Sequence, residues 1–536
     1  MAIATKDSVK KVLGQIPFAA ELYWLVRQNG KPIQSRFSLK RLQEYMPEIM
    51  ADVKKFRKEN PQAKNVYIFA TMHFWIEHAA VMGMAFSALG HQVTLGFLPY
   101  GDWRTQINKF DLKRQNFYAR KVLDLAGEFM ENISLLNLKT GYKPLPGEIM
   151  EIVKQVSHYD TQYTLQVEEV DEKSEIYRLR YERNLQAARA AYAWLQPKKP
   201  DVLVIPNGTI QELGIVYRVA RFLNIKTITY EFGDQRQRIW FAQNGEVMRQ
   251  NTDNLWEARR DYHLHDSQLE RVKALFAARQ KATTWENFAR RWQGTPAKGG
   301  EQARAELGLD NRPVVLLATN VLGDSLTLGR QVFSRSMSEW ISRTVQYFAG
   351  RQDAQLVIRV HPGELLTHGL SMVDVVKEVL PKLPEHIHLI GPAEKMNTYD
   401  LIDVADVGLV YTTTVGLEMA MNGLPVIVAG HTHFRNRGFT HDADSWVSYF
   451  KLLGQILEEP EKFRLGNEEI ELAWKYAYRF FFEYSRPYPW HLVRLWDDYK
   501  AHPLSSVLTD EGMKQFGDTF NHLLGKPIDW KKIKEG

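Results

Sequence analysis

The sequence contains no cysteine. Disulfide staples, thiolate nucleophiles and Cys-ligated zinc are therefore excluded, and a reducing compartment is the simplest setting. No secretory leader is expected either. The N-terminal stretch MAIATKDSVKKVLGQIPFAAELYWLV has no unbroken apolar core followed by a small-residue cleavage site. The most apolar window, residues 66–99, is interrupted by His73, Glu77, His78, His91 and Gln92, which excludes a lipid-spanning helix. The expected location is cytoplasmic. Charge of one sign is scarce too: a formal +6 over 536 residues permits phosphate, anionic glycan or anionic lipid as partners but is no nucleic-acid signature.

A chain of this length exceeds a single hydrophobic core. Its pattern is strand, helix, strand, repeated in two blocks. The runs VYIFA (66–70), QVTLGFL (92–98), DVLVIPNG (201–208) and KTITYEFG (226–233) have the apolar, branched character of buried parallel strands. Residues 101–195 read as largely helical, with a long helix from Glu168 to Leu195. After the Gly- and Pro-containing stretch 295–313 the pattern restarts with PVVLLATN (313–320), QLVIRVHP (355–362), HIHLIG (386–391) and the continuous unit 407–430. The fold class expected is α/β, with two Rossmann-like doubly wound domains facing a cleft, helical insertions and a helical C-terminal tail. The domains expected are 1–295, holding the acceptor, 313–450, holding the donor, and 451–536, a tail packing back across the pair.

Chemistry concentrates at strand ends, where ligands bind in open parallel sheets. Strand 407–411 runs into Thr412, Thr413 and Thr414, then a helix opening near Gly416 with Glu418 in its first turn. Hydroxyls, backbone N–H groups and a helix dipole suit a phosphate, with Glu418 placed for ribose hydroxyls. The same residues also fit an ordinary N-cap and a dipole-complementing acid. His361-Pro362-Gly363-Glu364 ends another strand, where Pro362 holds His361 extended at the sheet rim and Glu364 is a donor-side candidate. Asn320 leaves the first strand of this block towards the same cleft.

His361-Pro362, the Thr412–Glu418 turn and Gly423-Leu424-Pro425-Val426-Ile427 together resemble the donor half of GT-B-type glycosyltransferases. More narrowly the stretch is similar to bacterial capsular polysaccharide biosynthesis proteins and, distantly, to the sialyl- and Kdo-transferases that use CMP-sugars. The basic loop from His433 to Thr440 resembles the loop that follows the site in capsule proteins. The resemblance covers residues 313–445 and reaches the N-terminal half by architecture only. It implies that His361, Thr413 and Thr414 contact donor phosphate and that Glu418 contacts ribose. It also implies transfer of a sugar from a nucleotide-sugar to a glycan or lipid-linked acceptor, with no essential metal and no cofactor beyond the donor.

The N-terminal block should then supply the general base and the acceptor site. Glu231, Asp234 and His73 stand at strand ends as candidate bases, while Arg236, Arg238 and Asn207 are candidate acceptor contacts. His431, His433, His441, Asp442 and Asp444 lack the spacing of a metal site, so none is expected. Two rival readings remain: a non-hydrolysing nucleotide-sugar epimerase, and a non-catalytic binding partner of polysaccharide export. Residues 1–45 carry eight Lys/Arg against three Asp/Glu, interleaved with Phe18, Tyr23, Trp24 and Phe37. That composition suits a peripheral contact with anionic membrane, or simply a solvated helix packed on the domain.

Overall fold

In the computed structural model, residues 2–28, 37–141, 144–233, 235–285, 295–367 and 369–533 are described. Two parallel-rich sheets organise them. The first uses β1 (Asn65–Thr71), β2 (Gln92–Leu98), β3 (Met130–Ser134), β4 (Val202–Pro206), β5 (Thr227–Glu231) and β6 (Arg238–Gln243). The second uses β7 (Val314–Ala318), β8 (Gln355–Arg359), β9 (Ile387–Ile390), β10 (Val407–Val410), β11 (Val426–Val428) and β12 (His441–Asp442). A short β13 (Arg486–Pro487) from the tail adds antiparallel to β6.

The strand orders are β13-β6-β5-β4-β1-β2-β3 and β12-β11-β10-β7-β8-β9. Each sheet therefore reverses direction beside its first strand, between β1 and β4 and between β7 and β10. These are the two points where an open α/β sheet leaves a crevice at its carboxyl edge. The strands are apolar throughout because helices cover both faces: β4, β7 and β8 are buried at every residue. Packing is close enough to demand glycine at Gly96, where a Cβ would lie 1.9 Å from the Tyr67 hydroxyl. Tyr67 is held there by stacking on Trp194 at 4.2 Å.

Several expectations need adjustment. The helix expected from Glu168 starts at Glu175, where the Ser174 hydroxyl accepts from Tyr177 N–H at 3.2 Å, and it runs to Lys198 with Pro197 in its last turn. Residues 101–195 also include β3, whose sequence MENIS alternates too weakly to stand out. The boundary at 295 does not follow the packing. Leu255, Trp256, Val272, Leu275 and Phe276 join the core on one face of the second sheet. The tail divides: residues 473–484 join that same core, whereas Tyr488, Trp490, Trp496 and Phe520 join the core of the first sheet. Chain segments thus cross between the two sheets at both ends of the second.

Candidate functional site

The second sheet's switch point is built by direct contacts between strand ends. The Asn320 side-chain oxygen, just after β7, accepts from Thr412 N–H after β10 at 3.1 Å. The Thr319 hydroxyl accepts from His361 N–H after β8 at 3.0 Å. Three adjacent strand ends are therefore locked together around one rim. Above this rim opens a cleft of about 560 Å³, lined by His361, Thr412, Thr413, Thr414, Glu418 and Asn320 from the second sheet. Its facing wall comes from Arg104, Tyr163, Gln166 and Trp240 of the first half, and its floor includes Phe480 and Phe481 of the tail.

His361 is prepared as a hydrogen-bond donor. Its Nδ1 accepts from Gly363 N–H at 3.0 Å, so a neutral ring carries its proton on Nε2. The Thr412 hydroxyl is buried with no hydrogen-bond partner among the described residues, which marks a polar atom on the cleft rim that a ligand can satisfy. Thr413 uses its own hydroxyl to accept from Val415 N–H at 3.4 Å. Gly416 needs correction as a phosphate contact. Its N–H already donates to the Thr413 carbonyl at 3.2 Å, and a Cβ would lie 2.8 Å from Val410 and 3.0 Å from Phe434. Glycine is required there for packing.

Glu364 also needs correction. Its carboxylate turns away from the cleft, accepting from the Ser371 hydroxyl at 2.6 Å and from Met372 N–H at 3.3 Å at the start of the helix Met372–Val379. It caps that helix. Glu364→Ala is therefore expected to lower stability by about 1–2 kcal/mol while leaving any nucleotide-induced thermal shift unchanged, as a two-temperature ligand titration would show.

Glu418 lines the cleft but is engaged: it forms a buried ion pair with Arg279 at 3.2 Å. Arg279 in turn sits over the rings of Phe481 and Phe276 at 4.5 and 5.0 Å. A second buried cation, Arg330, donates to the carbonyl of His431 at 3.2 Å and to that of Met248, and burial pushes its guanidinium down to about 10. Both arginines lie on the cleft wall, and neither stood out in the sequence. No periodicity marks them, since each depends on a partner more than 80 residues away.

Beside the facing wall, Glu231 ends β5 directly opposite Trp240, a residue of that wall, in the β5–β6 register. Its carboxylate accepts from the Asn207 amide at 3.2 Å and from Phe232 N–H at 3.1 Å. Burial pushes it up to about 7, reinforced by the negative charge of Asp324 across the cleft. Asp324 itself is raised by burial. Asn207 is corrected from acceptor contact to support. Its side-chain oxygen accepts from Thr209 N–H at 3.0 Å and Ile210 N–H at 3.3 Å, so it fixes the turn and orients Glu231.

Arg238 is corrected likewise. Its guanidinium is buried, donating to the Ser485 hydroxyl at 2.7 Å and to the carbonyls of Ser485 and Phe482, and so ties β6 to the tail. Arg236 is exposed in the turn before β6 and does not line the cleft. His73 opens the helix after β1 with its ring against Phe74 at 5.3 Å, away from the cleft lining; burial lowers its pKa. Asp234 lies outside the described residues. Among the described residues, no group of three or more His, Cys, Asp or Glu is placed to hold a metal ion. His433 instead stacks on Phe480 at 3.9 Å, with Nδ1 2.9 Å from the Tyr476 hydroxyl.

Comparison with known proteins finds similarity to solved structures and to one family model. The chain is similar to the solved structure of the beta Kdo 2,4 transferase KpsC from Thermosulfurimonas dismutans, at 17% identity and a TM-score of 0.37 over 61% of this chain and 87% of that one. It is similar to UDP-GlcNAc 2-epimerase from Neisseria meningitidis at 14% identity and a TM-score of 0.25, over 78% and 99% of the two chains. No curated protein sequence matches this chain. Residues 276–450 match the family described as "Capsule polysaccharide biosynthesis protein". Arg279, Asn320, Arg330, His361, the threonine turn and Glu418 all lie inside that match, so the similarity falls on the second-sheet wall of the cleft.

Proposed function

We propose that the chain is a glycosyltransferase of capsular polysaccharide synthesis, moving a sugar from a nucleotide-sugar to a glycan or lipid-linked acceptor. The observation that carries this reading is the switch-point rim. His361 with a donor Nε2–H, the unpartnered Thr412 hydroxyl and the Thr413–Thr414 turn converge on one cleft within the capsule-family segment. Such a rim suits the phosphates of a nucleotide, with Arg330 supplying fixed positive charge as the leaving phosphate departs. No metal or cofactor is needed for that stabilisation.

Glu231, beside the opposite wall and with its carboxyl pushed up to about 7, is the general base in this scheme. Asn207 positions it. Asp324 faces the same space from the donor side and keeps the Glu231 proton affinity high. Arg104, exposed at the mouth, is suited to an anionic acceptor.

Thermal shift with UDP, GDP, CMP, CDP, ADP and dTDP tests the donor site. One nucleotide is expected to raise the melting temperature, since binding to the native state stabilises it by mass action, and His361→Ala is expected to abolish that shift. Absence of any shift at millimolar nucleotide would overturn the assignment. Product analysis with the donor alone then separates transfer from epimerisation, because an epimerase converts the donor without an acceptor.

A further inference from the structure

Among the described side chains, two helices at the N-terminus, Ala2–Leu13 and Ala19–Arg27, hold on to the molecule from one side. Trp24 and Ala20 are buried, with Trp24 edge-on to Phe117 at 5.4 Å on the helix Lys109–Leu123. Polar ties complete the attachment: Lys10 pairs with Asp111 at 2.7 Å, and the Lys113 ammonium donates to the Gly14 carbonyl at 2.8 Å. Among the described residues the opposite side is apolar and exposed. Val12, Ile16, Phe18, Leu22, Leu25 and Val26 are 47–75% exposed. Leu22, Leu25 and Val26 follow helical three- and four-residue spacing, so they share one face opposite Ala20 and Trp24. Phe18 stands out at the turn between the helices, with a left-handed backbone (φ 60°).

Single exposed apolar residues are ordinary, whereas a contiguous stripe on a firmly attached element marks an interaction surface. Its flanks are basic. Lys11 and Arg27 are exposed on the pair itself, and Lys109, Arg120 and Lys121 are exposed on the helix that receives it. An apolar stripe with a cationic border complements the headgroup boundary of an anionic bilayer. We propose that this helix pair docks the protein on an anionic lipid surface, with Phe18, Leu22 and Val26 entering the acyl boundary.

The position of the pair fits a role in acceptor delivery. A groove of about 510 Å³ beneath it is lined by Lys10, Phe37, Tyr100, Asp102 and Thr105, and Arg104 of the same loop lines the main cleft. One loop therefore separates the docking surface from the site. The delivery role rests on the transferase reading; the docking surface does not.

Co-sedimentation of the full chain with vesicles tests the docking directly. The wild type is expected to bind phosphatidylcholine vesicles containing about a third phosphatidylglycerol, less so at high salt, and to bind pure phosphatidylcholine weakly. Leu22→Asp/Val26→Asp is expected to weaken binding at least about 10-fold, and Lys11→Glu/Arg27→Glu to remove the preference for anionic lipid. All four positions are solvent-exposed, so both variants should melt with the wild type, and an unchanged nucleotide shift separates this test from the donor-site one. Failure of the wild type to sediment with anionic vesicles would overturn the proposal. So would undiminished binding by the Asp variant, or a patch-dependent dimer without vesicle binding.

Discussion

Glu231→Gln is expected to lower sugar transfer about 10²–10⁴-fold while leaving the nucleotide-induced thermal shift intact. The amide keeps the size of the side chain and an oxygen for the Phe232 N–H, giving up only the second oxygen that accepts from Asn207, and it cannot take a proton from an acceptor hydroxyl. The wild-type rate should rise with pH through about 7, where this carboxylate ionises. Stability should move the other way. A carboxyl whose folded affinity for its proton is raised makes the native state bind more protons than the unfolded chain between about 4.5 and 7, so stability falls as pH rises through that window. Glu231→Gln removes that dependence. Its stability relative to the wild type should therefore rise by about 2 kcal/mol between about pH 5 and pH 8. A variant that retains transfer, or a melting difference independent of pH, would remove Glu231 from the role of base.

This assignment also shows what the sequence could and could not reveal. Strand-end logic pointed to Glu231, His361, Asn320 and the threonine turn because each follows an apolar run that only a buried parallel strand explains, and His361, Asn320 and the threonines line one cleft. The two-sheet α/β architecture was legible for the same reason. Identical logic failed for Asn207, Arg238, Glu364 and Gly416, which also stand at element ends. There the polar group serves the backbone: a turn, a tail carbonyl, a helix cap, a close packing contact. A strand end gives both kinds of residue the same local signature, and only three-dimensional partners separate them.

Arg279 and Arg330 illustrate the complementary gap. Each is a buried cation whose environment is assembled from distant segments, Arg279 against Glu418 and Arg330 against Met248 and His431. The crossing of residues 253–280 into the second core was hidden for a related reason. Amphipathic helices declare which face is apolar but not which sheet receives it.

The largest loss of stability is expected from Arg180→Met. Arg180 is fully buried, and its guanidinium bridges Asp160 at 3.1 Å and Glu212 at 2.9 Å, both also fully buried. The two carboxylates hold it firmly protonated. Methionine preserves much of the volume but leaves two carboxylates together without a counter-charge, which costs about 3–5 kcal/mol. Chemical denaturation would register this as a lower midpoint with an unchanged slope. The deficit should shrink as pH is lowered, because protonation removes the uncompensated charge and the folded variant binds more protons than its unfolded chain. Function should suffer beyond stability. Asp160 also accepts from Asn184 at 2.7 Å and from Gln211 N–H, while the neighbouring Arg183 donates to the carbonyls of Asp102 and Thr105 at 2.8 and 2.7 Å. The network thus braces the helix that carries Tyr163 and the loop that carries Arg104, two residues of the cleft wall. At temperatures where the variant remains folded, KM for an anionic acceptor should rise more than the nucleotide affinity falls. Equal loss of both, or a stability deficit that does not respond to pH, would show that the cluster acts only as packing.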